Sequence, residues 1–445
     1  MHKYIILAMF ISLSYVVQAQ DHLTLEQCRE KALEHDQNIK SAQADLAINV
    51  ASHKMSKRAM LPQFDFSASY TYMNDPQVMD VPSWQLPNMD GTPSGVLFTG
   101  LYKELTYHNM YDGGIDFSLP IYLGGKLRNY VKMSSYGIGI SEQNVENTKE
   151  NLVLEVDQKY WALVSLKENL LVIQKSVNLL EDVVRETQNR FEVGIVTKNE
   201  VLKTQVELNN AKLALIQMKD NIHLAKMALN QSIGNSILDE IAIADSVIIP
   251  DTNPVSINEI ERVASNRKEL KMLEGQVGIT SVDEKIARAD YMPQLVSFAN
   301  YGFQNPDHKA EDKTELTWVA GVSLSVPIFH WGEKGLALEK KKLVTKKAQL
   351  SYDKAKEGII LQIQQSAFNL NESLVKISFT KASLAQADEN LKLEMNRLNQ
   401  GVVTTTDVLD AQVQWQRANS DFISAKVNYK INQSKYLKTI GQLDI

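Results

Sequence analysis

A catalytic or metal centre would have to be assembled from eight histidines, one cysteine and 53 acidic residues. The histidines are scattered, no His-Glu-x-x-His pair occurs, and no Gly-x-Ser-x-Gly elbow presents a nucleophile. Gly124-Gly125-Lys126-Leu127 has the lysine of a phosphate loop without its spaced glycine or its Ser/Thr. Gly137-x-Gly139 lacks the third glycine of a dinucleotide loop. The lone cysteine, Cys28, precludes an intrachain disulfide and any multi-cysteine metal site. No catalytic, cofactor-binding or metal-ligating residue is therefore assigned, and no cofactor is expected. With 47 basic residues against 53 acidic, net charge -6, the chain lacks the Lys/Arg excess that neutralises nucleic-acid phosphates.

What recurs at fixed spacing is a turn. Arg190-Phe191-Glu192-Val193-Gly194-Ile195-Val196-Thr197 matches Arg397-Leu398-Asn399-Gln400-Gly401-Val402-Val403-Thr404 at an offset of 207. The same offset relates Leu202 to Leu409, Gln205 to Gln412, Val206 to Val413 and Gly234 to Gly441. Gly194 and Gly401 suit the left-handed conformation that ends a helix. Thr197 and Thr404 then stand ready to cap the next helix. Glu200 fits the reciprocal position of a capping box, and Asp407 fits less well because its side chain is shorter. Two exposed tips of this kind offer a docking surface for a partner's helical hairpin.

These tips must be carried by long helices. From Val156 the apolar positions run Tyr160, Leu163, Leu166, Leu170, Ile173, Val177, Leu180, Val184 and Phe191 in alternating steps of three and four, a heptad seam. One helix over Lys126–Arg190 would extend roughly 100 Å at ~1.5 Å per residue. The returning helices carry seams of alternating large and small residues, from Val201 to Leu229 and from Val408 to Tyr436. Before each hairpin the period becomes 2. Strands are expected at 63–73, with Phe64, Phe66, Tyr70 and Tyr72 on one face, and at 111–120. In the second half they are expected at 294–303 and 315–327. The strand from Leu295 to Phe303 alternates least cleanly, since Val296 and Phe298 fall on its polar side. Residues 74–108, rich in Pro, Gly, Asn and Asp, read as a long surface loop, extracellular if the strands cross a membrane. The chain thus divides into a first repeat, 21–234, with a hairpin over 126–233. A linker, 235–256, leads to a second repeat, 257–445, with a hairpin over 333–440. Thr24 to Arg58 is helical in pattern.

Residues 1–20 read as a secretory signal peptide: Lys3, the apolar run Ile5–Val17, and a small residue at Ala19. The run is short for a membrane-spanning helix, and no later segment is long and apolar enough, which leaves a β-barrel as the route into a membrane. Four strands of ~9 to 11 residues with one apolar face have the right length but cannot close a barrel, so copies must assemble. A dimer gives eight strands and a trimer twelve. The small residues Ser67, Ser69, Gly114, Ser118, Gly321 and Ser323 on the other face favour an open lumen and the trimer.

The pattern Arg-x-x-x-Gly-x-x-Thr-x-x-(Glu/Asp)-Val-Leu at Arg190–Leu202 and Arg397–Leu409, with two Pro-Gln strand entries and two Pro-Ile strand exits, resembles the TolC family of outer-membrane efflux proteins. The likeness spans the whole mature chain. It implies a mainly α protein with membrane β: a homotrimeric 12-stranded β-barrel continuous with a periplasmic α-helical barrel, set in the outer-membrane lipid of a Gram-negative bacterium. It also implies a passive exit duct in a tripartite efflux system, with a periplasmic membrane-fusion adaptor and an inner-membrane pump of the proton-driven RND or ATP-driven ABC type. Carried over by motif, Gly194, Val196, Thr197, Gly401, Val403 and Thr404 would form the adaptor-docking tips. Charged residues near the tips would hold the entrance shut, the candidates being Arg185, Glu186, Arg190, Asp388, Glu389, Glu394 and Arg397. Two other functions stay open on the residues: the outer-membrane channel of type I protein secretion, and a soluble periplasmic coiled-coil adaptor. The lysines Lys340, Lys341, Lys342, Lys346 and Lys347 read as a solvated face.

Overall fold

The computed structural model describes residues 22–244, 246–247, 254–255 and 259–443. Along the chain lie β1 (His22–Leu23), α1 (Leu25–His35), α2 (Gln37–Arg58), β2 (Gln63–Tyr72), β3 (Val78–Val81), β4 (Trp84–Pro87), β5 (Pro93–Phe98), β6 (Leu101–Glu104) and β7 (Asn109–Leu123). There follow α3 (Lys126–Glu192), α4 (Lys198–Ile233), β8 (Ala242–Ile243), α5 (Ile260–Ser265), α6 (Lys268–Ala289), β9 (Gln294–Asn305), β10 (Glu315–Ser325), α7 (Glu333–Asn399) and α8 (Thr405–Thr439). The expected signal peptide lies outside the described residues, as does part of the linker 235–256. Two compact units form. One comprises Asp45–Glu142 and Met272–Tyr352, and the other holds the chain up to Ala44, Gln143–Lys271 and the chain from Asp353 on. Each unit therefore draws on both sequence repeats.

The first unit contains a four-stranded antiparallel sheet in the order β10-β9-β7-β2. The central pairing of β7 with β9 joins a strand of one repeat to a strand of the other. Its register shifts between Pro120 and Tyr122, where proline has no N–H to give the ladder. Phe64, Phe66, Tyr70 and Tyr72 of β2 and Leu316, Trp318, Val322 and Leu324 of β10 are all exposed. On the opposite face Ser67 and Asn300 donate to Asp116, the latter at 2.8 Å, and Ser69 donates to Asp112. The irregular alternation expected in the third strand has a packing cause. Phe298 lies opposite Gly321, and a Cβ on that glycine would stand 2.8 Å from the ring's Cζ, so the aromatic occupies the space the glycine leaves.

Two local expectations are corrected. Residues 74–108 are not an irregular loop: β3 pairs with β6 and β4 with β5. The same Asn, Asp and Gly content that reads as loop supplies a tight turn instead. Asn88 N–H donates to the Thr92 carbonyl (2.7 Å) and Gly91 takes φ 84°. The helical pattern from Thr24 to Arg58 is broken at Asp36, which is extended (φ -60°, ψ 130°). Its Oδ1 accepts from Ile39 N–H at 2.8 Å, so the carboxylate caps α2 where the sequence period runs through.

The second unit is helical. One core cluster gathers Cys28, Ala32, Val156, Tyr160, Leu163, Leu229, Ile233 and Ile243 around the short parallel pair β1 and β8. Arg29 grips the fully buried Asp157 through two 2.7 Å bonds, and the Tyr160 hydroxyl donates to the Leu23 carbonyl. Arg267, 3% exposed, holds Glu269 with two bonds (3.0 and 2.6 Å) and donates to the Lys438 carbonyl; Glu150, also 3% exposed, lies within electrostatic reach of Arg267 and Lys268. Seam residues Ile173, Val177 and Leu180 of α3 pack on Leu208 of α4. Val172 on the adjoining face meets Leu391 of α7 and Ala411 and Trp415 of α8. No described helix is long and apolar enough to cross a membrane.

Candidate functional site

Both hairpin tips are built by local sequence. Gly194 and Gly401 each take φ 75°, reversing the chain where a side chain would be strained. Ile195 N–H donates to the Arg190 carbonyl and Gly194 N–H to that of Phe191. Val402 and Gly401 repeat the pair with Arg397 and Leu398. These paired returns satisfy the last carbonyls of α3 and α7.

The caps that follow invert the expectation. Thr404, not Thr197, makes the reciprocal box: Thr404 Oγ1 accepts from Asp407 N–H (3.3 Å) while Asp407 Oδ2 accepts from Thr404 N–H (2.9 Å). Thr197 has nearly the same backbone (φ -84°, ψ 157°) but no side-chain cap bond. With the backbone matched, the difference lies in the acid, and the shorter aspartate spans the three-residue return. The bonds from Thr404, its hydroxyl first and its N–H second, hold the Asp407 carboxyl below its usual range. Val193, Ile195 and Val402 are exposed at the tips, with Val196 and Val403 half-buried beside them.

Of the charged candidates, the structure joins some and separates others. Arg190 is nearly buried: it bonds Glu186 at 2.8 Å and donates to the Leu398 carbonyl, tying α3 to the last turn of α7. Asp388 takes Lys392 at 2.5 Å and the Trp415 indole N–H at 3.2 Å. The lysine, chiefly, lowers its carboxyl's pKa. Arg397 pairs with Glu394 at 2.8 Å, while Glu394 Oε2 is buried with no hydrogen-bond partner among the described residues. Arg185 is exposed and pairs with Asp182 one turn back on α3, and Glu389 is exposed on α7.

Beside the tips a groove of about 470 Å³ runs between α4 and α8. Its apolar lining is repeat-related: Leu202 and Val206 from one half, Leu409 and Val413 from the other. Lys203 and Asp410, also 207 apart, line it with Glu207, so the α4 side carries both signs of charge and the α8 side an acid. These residues were not singled out from the sequence as site residues. The signal was present, because the offset that aligned the glycines also paired Leu202 with Leu409 and Val206 with Val413.

The family profile described as "Outer membrane efflux protein" matches residues 28–235 and 260–442, covering both repeats. Outer membrane protein TolC of Escherichia coli (strain K12) is 20% identical over 457 residues, spanning 100% of this chain and 87% of that protein. The alkaline protease secretion protein AprF of Pseudomonas aeruginosa is 21% identical over 354 residues, 78% of this chain and 72% of that one. Among solved structures, the Campylobacter jejuni CmeC outer membrane channel superposes with a TM-score of 0.78 at 21% identity, covering 95% of this chain and 87% of that one. The open-state MtrE outer membrane channel of Neisseria gonorrhoeae gives 0.75 at 17% identity, covering 94% and 89%. With the profile match extending over both halves, this chain belongs to the outer membrane efflux protein family and is a protein of the cell outer membrane.

Proposed function

We propose that this protein is the outer-membrane exit duct of a tripartite efflux system, passively conducting what an inner-membrane pump delivers. The observation that carries the reading is the sheet. Its edge strands β2 and β10 pair on one side only, with β7 and β9, and among the described residues no strand covers their outer edges; the apolar side is exposed along its length. Unpaired edges are not tolerated in a bilayer, so copies close the ring edge to edge, three of them giving twelve strands. The first repeat, 21–234, and the second, 257–445, each contribute two strands and one hairpin, with 235–256 between them and residues 1–20 removed on export. The duct performs no catalysis in this reading; direction comes from the pump.

The tips Gly194, Val196, Thr197, Gly401, Val403 and Thr404, with the groove beside them, receive the helical hairpin of a periplasmic adaptor. Arg185, Glu186, Arg190, Asp388, Glu389, Glu394 and Arg397 set the width of the entrance. The similarity to AprF supports a second cargo class, since that relative is named for protease secretion. The same duct would then serve an ATP-driven exporter of proteins. The test is light scattering of the detergent-purified mature chain, followed by planar-bilayer recording. A trimer that conducts weakly, and conducts more when E186K or D388K opens the entrance, is expected. A water-soluble, non-conducting monomer would remove the duct reading.

A further inference from the structure

All four passages between helix and strand in the sheet unit lie at one end of the sheet. The registers place Gln63 opposite Ser118, Leu123 opposite Gln294, and Gln294 opposite Ser325, next to the ends of α2, α3, α6 and α7. The charge at this end is strongly one-sided. Residues 50–62, 124–136, 280–293 and 326–342 hold 12 Lys/Arg against 5 Asp/Glu. The connections at the other end, 73–108 and 306–314, hold 3 Lys/Arg against 7 Asp/Glu. The collar therefore runs against the chain's net charge of -6.

Three of the five acids at the collar are already engaged: Asp290 by Lys126 and Asp283 by Lys341, both at 2.6 Å, and Glu284 by Arg288 at 3.7 Å. Among the described residues, no ion pair holds Lys54, Lys57, Arg58, Arg128 or Lys132, and all five are exposed. The same end carries a run of apolar side chains that water should disfavour. Ile328 is 93% exposed, Phe329 68% and Trp331 90%. Phe329 and Trp331 meet edge to face at 5.0 Å, and Trp331 holds a left-handed φ of 45°. This run continues directly from β10, whose Leu316, Trp318, Val322 and Leu324 form the exposed apolar face.

We propose that this end of the sheet unit is a lipid-binding collar, its aromatic hook Ile328-Phe329-Trp331 set in the membrane interface and its free cations holding the phosphates of anionic phospholipids. The inference rests on the outer-membrane reading above. Trp prefers the boundary between hydrocarbon and headgroups, where the ring is buried and the indole N–H stays hydrated. Lys and Arg clustered beside a membrane-spanning segment attract anionic headgroups within a screening length. Zwitterionic lipid alone would leave the collar's charge uncompensated, which is why the proposal commits to the anionic class.

The full mature chain is reconstituted in vesicles of phosphatidylethanolamine and phosphatidylglycerol at about three to one, with either lipid brominated. Quenching of total tryptophan fluorescence reports insertion, and the difference between wild type and Trp331→Phe reports the hook. The expected result is that brominated phosphatidylglycerol quenches Trp331 at least about twofold more than its share of the lipid. That excess should disappear between ~0.05 and ~0.5 M salt. It should also disappear in K54Q/K57Q/R58Q/R128Q/K132Q, while the salt series on wild type serves if that variant fails to fold. Quenching of Trp331 in proportion to bulk composition, or an excess insensitive to salt, overturns the collar and leaves the duct intact. No quenching of any tryptophan by either lipid means that the chain is not in the membrane, and the outer-membrane reading fails with it.

Discussion

Arg190 and Arg397 occupy the same place in the repeated turn, yet their surroundings assign them different weights. Arg190 is 11% exposed and satisfies a carbonyl of the neighbouring hairpin, whereas Arg397 is half exposed and pairs within its own helix. Removing Arg190 leaves the Leu398 carbonyl its bond from Gly401 N–H but breaks the part-buried charged bond that ties α3 to α7, a loss of about 1.5 kcal/mol. Removing Arg397 breaks a pair within a single helix, whose arginine is half exposed, a loss of about 1 kcal/mol that leaves α3 and α7 joined. Arg190→Ala should therefore raise the hydrogen-exchange rate of tip amides more than Arg397→Ala; equal effects would mean the bond to Leu398 contributes nothing. Glu150 makes a second contrast. Burial pushes its carboxyl pKa up, more than Lys268 and Arg267 pull it down. A folded-state pKa above the unfolded value means that ionising Glu150 costs stability, and the cost grows as pH rises past the ordinary glutamate value of ~4.3. Glu150→Gln should accordingly be tolerated or stabilising at pH 7, with its advantage over wild type shrinking as pH falls to ~4. Thermal unfolding across that range checks the sign, and a Gln variant that is weaker at pH 7 than at pH 4 would show that the cations outweigh burial.

Among the elements, the groove between α4 and α8 is the place where repetition becomes a surface. Leu202, Val206 and Val413 are each more than half exposed, in a position that needs a cover. An aspartate at Leu202 or Val413 places a charge where an adaptor's apolar side chain would be desolvated, and losses at such central positions run to about 2 kcal/mol, or ~30-fold in affinity. L202D and V413D should thus weaken adaptor binding in pull-down and raise drug susceptibility in cells while leaving conductance unchanged; unaltered binding would move the docking site elsewhere. The long helices, the strand positions and the two glycine reversals were legible in the sequence because each rests on local periodicity or on a φ that only glycine takes without strain. Less legible were features set by contacts distant in sequence. Nothing local marks Asp157 as the buried partner of Arg29, and nothing in strand alternation says that Phe298 covers Gly321. The break at Asp36 is hidden for the opposite reason: a single capping side chain overrides a helical pattern that continues on both sides. In 74–108 the Pro, Gly, Asn and Asp content masks short apolar runs that pair between turns, β3 with β6 and β4 with β5.

In the duct reading one chain is not the whole molecule, and the two edges of the sheet are where copies would meet. β2 and β10 stand at opposite edges, three strand spacings apart, or ~14 Å at ~4.8 Å per strand. A disulfide needs Cα atoms within ~7 Å, so cysteines placed one on β2 and one on β10 cannot join within a chain. The single natural cysteine, Cys28, is buried in the helical unit and does not compete. Pairs such as S67C with S323C, scanned along β10 to find the register, should therefore give only intermolecular bonds in oxidised membranes. If three copies close the barrel, the denatured ladder runs monomer, linked pair and linked triple, and stops there. A ladder ending at two would indicate an eight-stranded barrel filled by its own side chains, incompatible with a duct. One that continues past three would indicate an open edge-to-edge filament. Because the linkage can arise only where one copy's β2 lies beside another's β10, a ladder that ends at three would establish both the number of copies and the seam that closes them.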